Sequence, residues 1–138
     1  MSPDHNSRRA ARQIAPFSRS GALDRRRGSP HGRAMPIQPP ERCRTMAEVR
    51  AGVDGTDREL VRLLARRFAY MDAAARIKPE RGAVRHERRK AEVIANVRGR
   101  AEVAGLPADE ITAIWDRLVE ASIAYEFDAW DRLRISAS

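Results

Sequence analysis

The chain is poor in the residues from which most catalytic centres are built. It has one cysteine, Cys43, so no internal disulfide can form. That usage fits a reducing compartment, and the cytoplasm is the expected location. There are three histidines, His5, His31 and His86, two of them in the N-terminal stretch. With so few thiols and imidazoles a zinc constellation has no material, and no metal is expected. The eight glycines are scattered, so no phosphate-cradling loop exists. A Ser-His-Asp arrangement has no support either. No apolar run approaches the roughly 20 residues of a membrane-crossing helix. Arg8 and Arg9 are not followed by an apolar stretch, which removes a twin-arginine export reading. If the chain is an enzyme, its chemistry needs neither metal nor nucleophile.

Charge is abundant, and its distribution is informative. The formal net charge of +8 over 138 residues suggests nucleic acid at first sight. Residues 1–44 hold 10 Lys+Arg and 3 Asp+Glu, whereas residues 45–138 hold 17 and 16. The basic excess is a property of the N-terminal stretch, and the rest is close to neutral. Neither a nucleic acid nor a membrane is an expected partner of that neutral part. Residues 1–42 are rich in Arg, Ser, Pro and Gly without periodicity and are expected to be disordered. One domain is expected over 43–138. Two origins are open for residues 1–34: upstream sequence read in frame ahead of a true start at Met35, which is preferred, or a genuine basic tail.

Helical periodicity dominates the remainder, and no segment has strand alternation. Residues 45–78 read as one helix. Met46, Val53, Leu60, Arg67 and Ala74 form one line in sevens; Val49, Thr56, Leu63, Tyr70 and Ile77 form its companion. Eight of these ten positions are apolar or aromatic, which marks the seam of a packed helix. Thr45 with Glu48 fits a capping box, and Pro79 stops the helix. Gly52 and Gly55 lie inside it and cost about 1 kcal/mol each relative to alanine; they either permit a close approach by a neighbouring helix or are tolerated defects. A helix of this length spans roughly 50 Å, more than the width of so small a domain, so part of it is expected to lie against another chain. A second helix is expected over 85–104, with a stripe of Val93, Val97, Ala101 and Ala104 and a stop at Gly105. A third is expected over 107–134, opened by Pro107 with Asp109 and Glu110, with a stripe of Ile111, Trp115, Leu118, Ser122, Glu126, Ala129 and Leu133. The fold class is all-α, with three helices of which the first is much the longest.

Five polar residues fall on or beside these stripes: Arg67, Lys78, Arg89, Ser122 and Glu126. Each has a plain structural reading. Arg67 could set register, Lys78 could face a helix terminus, Arg89 could belong to a solvated face, Ser122 is small enough for a core, and Glu126 could pair with Arg67. Together they are costly to bury. Three cations and one carboxylate converging in a small bundle leave surplus positive charge, which an anionic ligand would balance. Arg67 and Lys78 are eleven residues apart, about three turns and roughly 16 Å, on nearly one face. Arg50 is about 25 Å before Arg67 and about a quarter-turn off. It cannot serve that pocket within one chain, though in a dimer pairing the long helices it could reach the partner's.

The pattern VRAGVDGTDRELVRLLARR, then AAARIK, then an arginine in the second helix and SIAYE in the third, resembles the all-helical (AroQ-type) chorismate mutases over about residues 43–134. The resemblance implies a three-helix fold with a long first helix, an intertwined homodimer, and a site that takes one arginine from the partner chain. It implies conversion of chorismate to prephenate, a step toward aromatic amino acids, by holding a compact conformer and stabilising charge on the breaking ether oxygen. By that pattern Arg67, and Arg50 from the partner, clamp carboxylates; Arg89 adds positive potential; Lys78 donates to the ether oxygen; Ser122 lines the pocket. Glu126 stands where many members have glutamine as the second donor, so its carboxyl has to be protonated, which burial favours. The catalytic set implied is Lys78, Glu126 and Arg67, with no cofactor.

Two positions depart from the mutase pattern. Lys90 stands where many members have a glutamate that reads the ring hydroxyl, and His86 replaces an acidic residue. The isochorismate pyruvate lyases, a branch that forms salicylate and pyruvate on the same fold, also lack that glutamate. The segment CRTMAEVR and the set Tyr70, Ala74, Ala75, Arg76 and Lys78 resemble that branch. The mutase reaction is the first expectation and the lyase reaction the alternative; chorismate or isochorismate is the expected small-molecule substrate.

Overall fold

The computed structural model describes residues 37–138. The expected disorder up to residue 36 and the candidate start at Met35 lie outside the described residues. Three helices follow one another: α1, Met46–Ile77; α2, Glu87–Val103; and α3, Ala108–Ile135. Short 3-10 turns stand at Pro40–Arg42 and Arg81–Ala83. Among the described residues there is no strand. The class is all-α, as expected.

Local chemistry sets the ends. Thr45 Oγ1 accepts from the Glu48 amide, and the Glu48 carboxylate accepts from the Thr45 amide at 3.1 Å, completing the capping box of α1. At the other end Lys78 turns extended, as a residue before proline must. The α2 helix starts two residues later than the expected 85. His86 is its N-cap, its Nδ1 accepting from the Arg89 amide at 3.1 Å, so residues 85–86 are not helical. Gly105 ends α2 with φ 70°, and the Leu106 amide reaches back to the Ala101 carbonyl at 2.9 Å. That is the left-handed cap for which glycine is suited.

Residues 37–42, within the stretch expected to lack structure, carry the first 3-10 turn and lie along the start of α1. A Cβ on buried Gly55 would sit 2.6 Å from Ile37 Cδ1. The close approach at that glycine is made by this N-terminal segment of the same chain.

The α3 helix packs against both α1 and α2. Phe68 and Tyr125 meet edge to face at 5.0 Å, and the Tyr125 hydroxyl donates to Asp72 at 3.0 Å. Arg81 forks onto Asp131 and lies over the Phe127 ring, tying the α1–α2 connection to α3. The buried apolar core consists of small residues: Ala75, Val84, Ala101, Val119 and Ala129.

The seam of α1 is mostly uncovered in the single chain. Met46, Val53, Leu60, Leu63, Tyr70 and Ile77 are all exposed, each at 50% or more. The face turned toward α3 shares Arg67 and Ala74 with that seam and adds Met71, Ala75 and Lys78. Among the described residues no helix is long and apolar enough to cross a membrane.

Candidate active site

A cavity of about 410 Å³ opens between the three helices. Spacings of four, three and four put Arg67, Met71, Ala74 and Lys78 on one face of α1. The start of α2 contributes His86, Arg89, Lys90 and Val93, and α3 contributes Val119, Ser122, Ile123 and Glu126. Five of the six residues singled out in the sequence therefore meet around one space. Arg50 does not. It is exposed in the second turn of α1 and absent from this lining.

Two polar contacts cross from α1 to α3. The Arg67 guanidinium donates to Ser122 Oγ, and Ser122 donates in turn to the Leu118 carbonyl at 2.7 Å. Lys78 Nζ lies 2.5 Å from Glu126 Oε1 and 3.4 Å from the Val84 carbonyl. Ser122 and Glu126 are buried, one turn apart on α3. Of the structural readings open in the sequence, a Glu126–Arg67 pair is not the one formed: Glu126 pairs with Lys78. Burial lowers the Arg67 pKa below its ordinary value, the effect of desolvating a cation. Among the described residues no carboxylate pairs with Arg67.

The α2 wall carries compensated charge. Lys90 Nζ is 2.7 Å from Glu120 and 2.9 Å from Asp116, and those carboxylates raise its pKa. Arg85 also donates to Glu120, with a shortest contact of 2.7 Å. Hydrogen bonds from Arg85 and then Lys90 hold the Glu120 carboxyl down at about 2. Among the described residues the Arg89 guanidinium reaches only its own helix neighbour Glu92, at 3.5 Å. Arg67 and Arg89 are therefore the least compensated cations at the cavity. A small ligand bearing two negative charges would balance them.

A shallower groove of about 690 Å³ runs along Ala69, Ala73 and Ala129, flanked by exposed Arg76 and Arg132. None of the polar residues singled out above reaches it.

The sequence reading did not anticipate Met71, Ile123 or the Val84 carbonyl as lining, nor the carboxylates that hold Lys90. Met71 and Ile123 are ordinary apolar residues with no chemical signal. Glu120 had a usable one: it stands four residues after Asp116, so the two carboxylates share one face of α3.

An all-α bundle holding a cation-lined cavity of this size has room and charge for a small organic anion. The family comparison is more specific. The model of the family described as chorismate mutase type II matches residues 49–127, more than half of the chain, and the chain belongs to that family. The chain is also similar to the isochorismate pyruvate lyase of Pseudomonas aeruginosa. The two are 29% identical over 101 residues, which is 73% of this chain and the whole of that protein.

Proposed function

We propose that the protein is an isochorismate pyruvate lyase, with the chorismate mutase rearrangement as the second reading. The observation that carries a pericyclic reading is the cavity itself. It brings Arg67, with no carboxylate partner among the described residues, and Arg89 to the same space as the Lys78–Glu126 pair. Both candidate substrates carry two carboxylates and one ether oxygen. Arg67 anchors one carboxylate and Arg89 adds positive potential. The second carboxylate falls to Arg50 of a second copy of the chain, because a helix rise of 1.5 Å puts this chain's own Arg50 about 25 Å away.

In the lyase reaction the ether C–O bond breaks and a ring hydrogen passes to the enolpyruvyl methylene. The ring becomes aromatic as salicylate, and pyruvate departs. Atoms balance with no co-reactant. Negative charge builds on the ether oxygen, where the Lys78 ammonium donates. Glu126, held against Lys78, is the second polar group at that oxygen. Confinement in one reactive conformer supplies the rest of the acceleration.

Similarity over the whole length of a lyase supports elimination over rearrangement. So does Lys90, a cation where a hydroxyl-reading carboxylate would favour chorismate. The rearrangement keeps its support from the family's description and from sharing the same cation set. The exposed seam of α1 supports a homodimer: a second copy would cover Leu60, Leu63, Tyr70 and Ile77. Supplying pure protein with isochorismate and, separately, chorismate tests the reading. Salicylate with pyruvate from isochorismate is the expected result. Prephenate from chorismate alone favours the second reading, and no product from either removes both.

A further inference from the structure

The Lys78 ammonium works from an awkward place, the very end of a 32-residue helix. The last carbonyls of a helix have no intrahelical donor, and terminal turns fray. Pro79 follows and brings no N–H of its own. A lysine mounted there would inherit the motion of the frayed turn.

Two side chains from the last turns of α3 meet this end. Arg134 donates to the Ala75 carbonyl and to the Lys78 carbonyl, each at 2.7 Å. Trp130 Nε1 donates to the same Lys78 carbonyl at 3.0 Å. The Arg134 guanidinium stacks 4.2 Å from the centroid of the Trp130 ring, so each holds the other in place. The cation also meets the negative end of the α1 dipole. The Lys78 backbone is thereby fixed from outside the cavity, while its Nζ reaches inward to Glu126 and the Val84 carbonyl. Ser122, Glu126, Trp130 and Arg134 follow at intervals of four along α3. One face of that helix therefore carries both the partners of Arg67 and Lys78 and the clamp on the Lys78 backbone.

We propose that Trp130 and Arg134 are positioning residues for the reaction: they clamp the α1 terminus so that the Lys78 ammonium is aimed at the breaking bond. This rests on the functional reading above. Neither residue touches substrate. Their effect belongs in kcat, because Arg67 and Arg50 of the second copy hold the carboxylates without them.

The test uses the full-length protein and the variants Arg134→Met, Arg134→Lys and Trp130→Phe; the last keeps an aromatic face for Arg134 but loses the indole N–H and some bulk. Arg134→Met is expected to lower kcat on the wild-type substrate about 10- to 100-fold, the range for a small misplacement of a reacting group. KM is expected to change less than about threefold, as an undisturbed ground-state anchor requires. Arg134→Lys, with a single donor group, should recover part of the loss, and Trp130→Phe should lose several-fold. Amide exchange should rise at Lys78 in Arg134→Met and stay unchanged in the middle of α1. Unchanged exchange at Lys78 in both Arg134→Met and Trp130→Phe would overturn the clamp. Faster exchange with unchanged kcat would overturn its role in turnover. Should Arg134→Met fail to fold, Trp130→Phe decides on both readouts. A wild-type protein that converts neither isochorismate nor chorismate fails one step earlier, taking the functional reading and this role together.

Discussion

Lys78 Nζ and Glu126 Oε1 lie 2.5 Å apart at the cavity wall, joining the end of α1 to the middle of α3. In this pair the carboxylate accepts from the ammonium. Glu126→Gln replaces the carboxylate with an amide, which brings an N–H donor of its own to the ether oxygen. Glu126→Leu can neither donate nor hold Lys78. The Gln variant is expected to keep kcat within about tenfold of wild type, and the Leu variant to lose on the order of 10²-fold or more. Steady-state kinetics on both variants check this, and equal losses would remove Glu126 from the donor role.

Arg67 makes the opposite prediction for stability. It is partly desolvated, and among the described residues no carboxylate offsets it. Arg67→Met is expected to hold or raise the thermal midpoint, since an apolar group of similar length avoids that desolvation. It should lower kcat/KM on the order of 10²-fold or more, the usual cost of losing a charge-assisted contact to the transition state. Arg67→Lys should recover little, because a single ammonium cannot reproduce the fork of a guanidinium. Melting curves alongside kinetics separate the two effects. A large fall in thermal midpoint with Arg67→Met would mark the residue as structural.

Glu120 links the α2 wall to acid stability. Its carboxyl ordinarily titrates near 4.5, and bonds from Arg85 and Lys90 pull it to about 2. A depressed folded-state pKa stabilises above the unfolded value, and the contribution fades as pH falls through the folded one. Glu120→Gln should therefore be less stable than wild type near neutral pH, and the gap should close between about pH 5 and pH 2. The pairs are exposed at the surface, so added salt should shrink the gap as well. Thermal midpoints across that range check the window. A gap that is constant with pH would mean that the lost interaction is not electrostatic.

The helices were legible because their ends carry specific chemistry: Thr45 with Glu48, Pro79, Gly105 and Pro107. The cavity was legible because Arg67, Lys78, Ser122 and Glu126 violate apolar stripes. The misreadings have physical causes. Periodicity in α1 marks a face that seeks cover but does not say what covers it, and in the single chain Leu63 and Tyr70 remain exposed. His86 could either begin a helix or cap one, and only the backbone decides. Trp130 and Arg134 carry no such signal, because the apolar stripe of α3 runs through Ala129 and Leu133, whereas the residues that reach the end of α1 lie on the line at strict intervals of four.

The seam and Arg50 combine into a prediction about assembly. Leu63 is exposed on the seam, and Leu63→Glu would bury a charge if a second copy packs there. The variant is expected to sediment as a single chain and to lose activity, because a lone chain cannot bring its own Arg50 to the cavity. Wild type should sediment as two. A sharper form uses two inactive variants, Arg50→Ala and Lys78→Ala. Each alone lacks one part of every site. Mixed and allowed to exchange, they form heterodimers in which one site joins an intact Arg50 to an intact Lys78, while the other site lacks both. Random exchange makes half of the dimers mixed, and each has one good site of two, so recovery should approach about a quarter of wild-type activity. Mass spectrometry of the mixture verifies exchange. Verified exchange without recovery would mean that Arg50 does not act across the dimer, and the second carboxylate would then need an anchor within one chain.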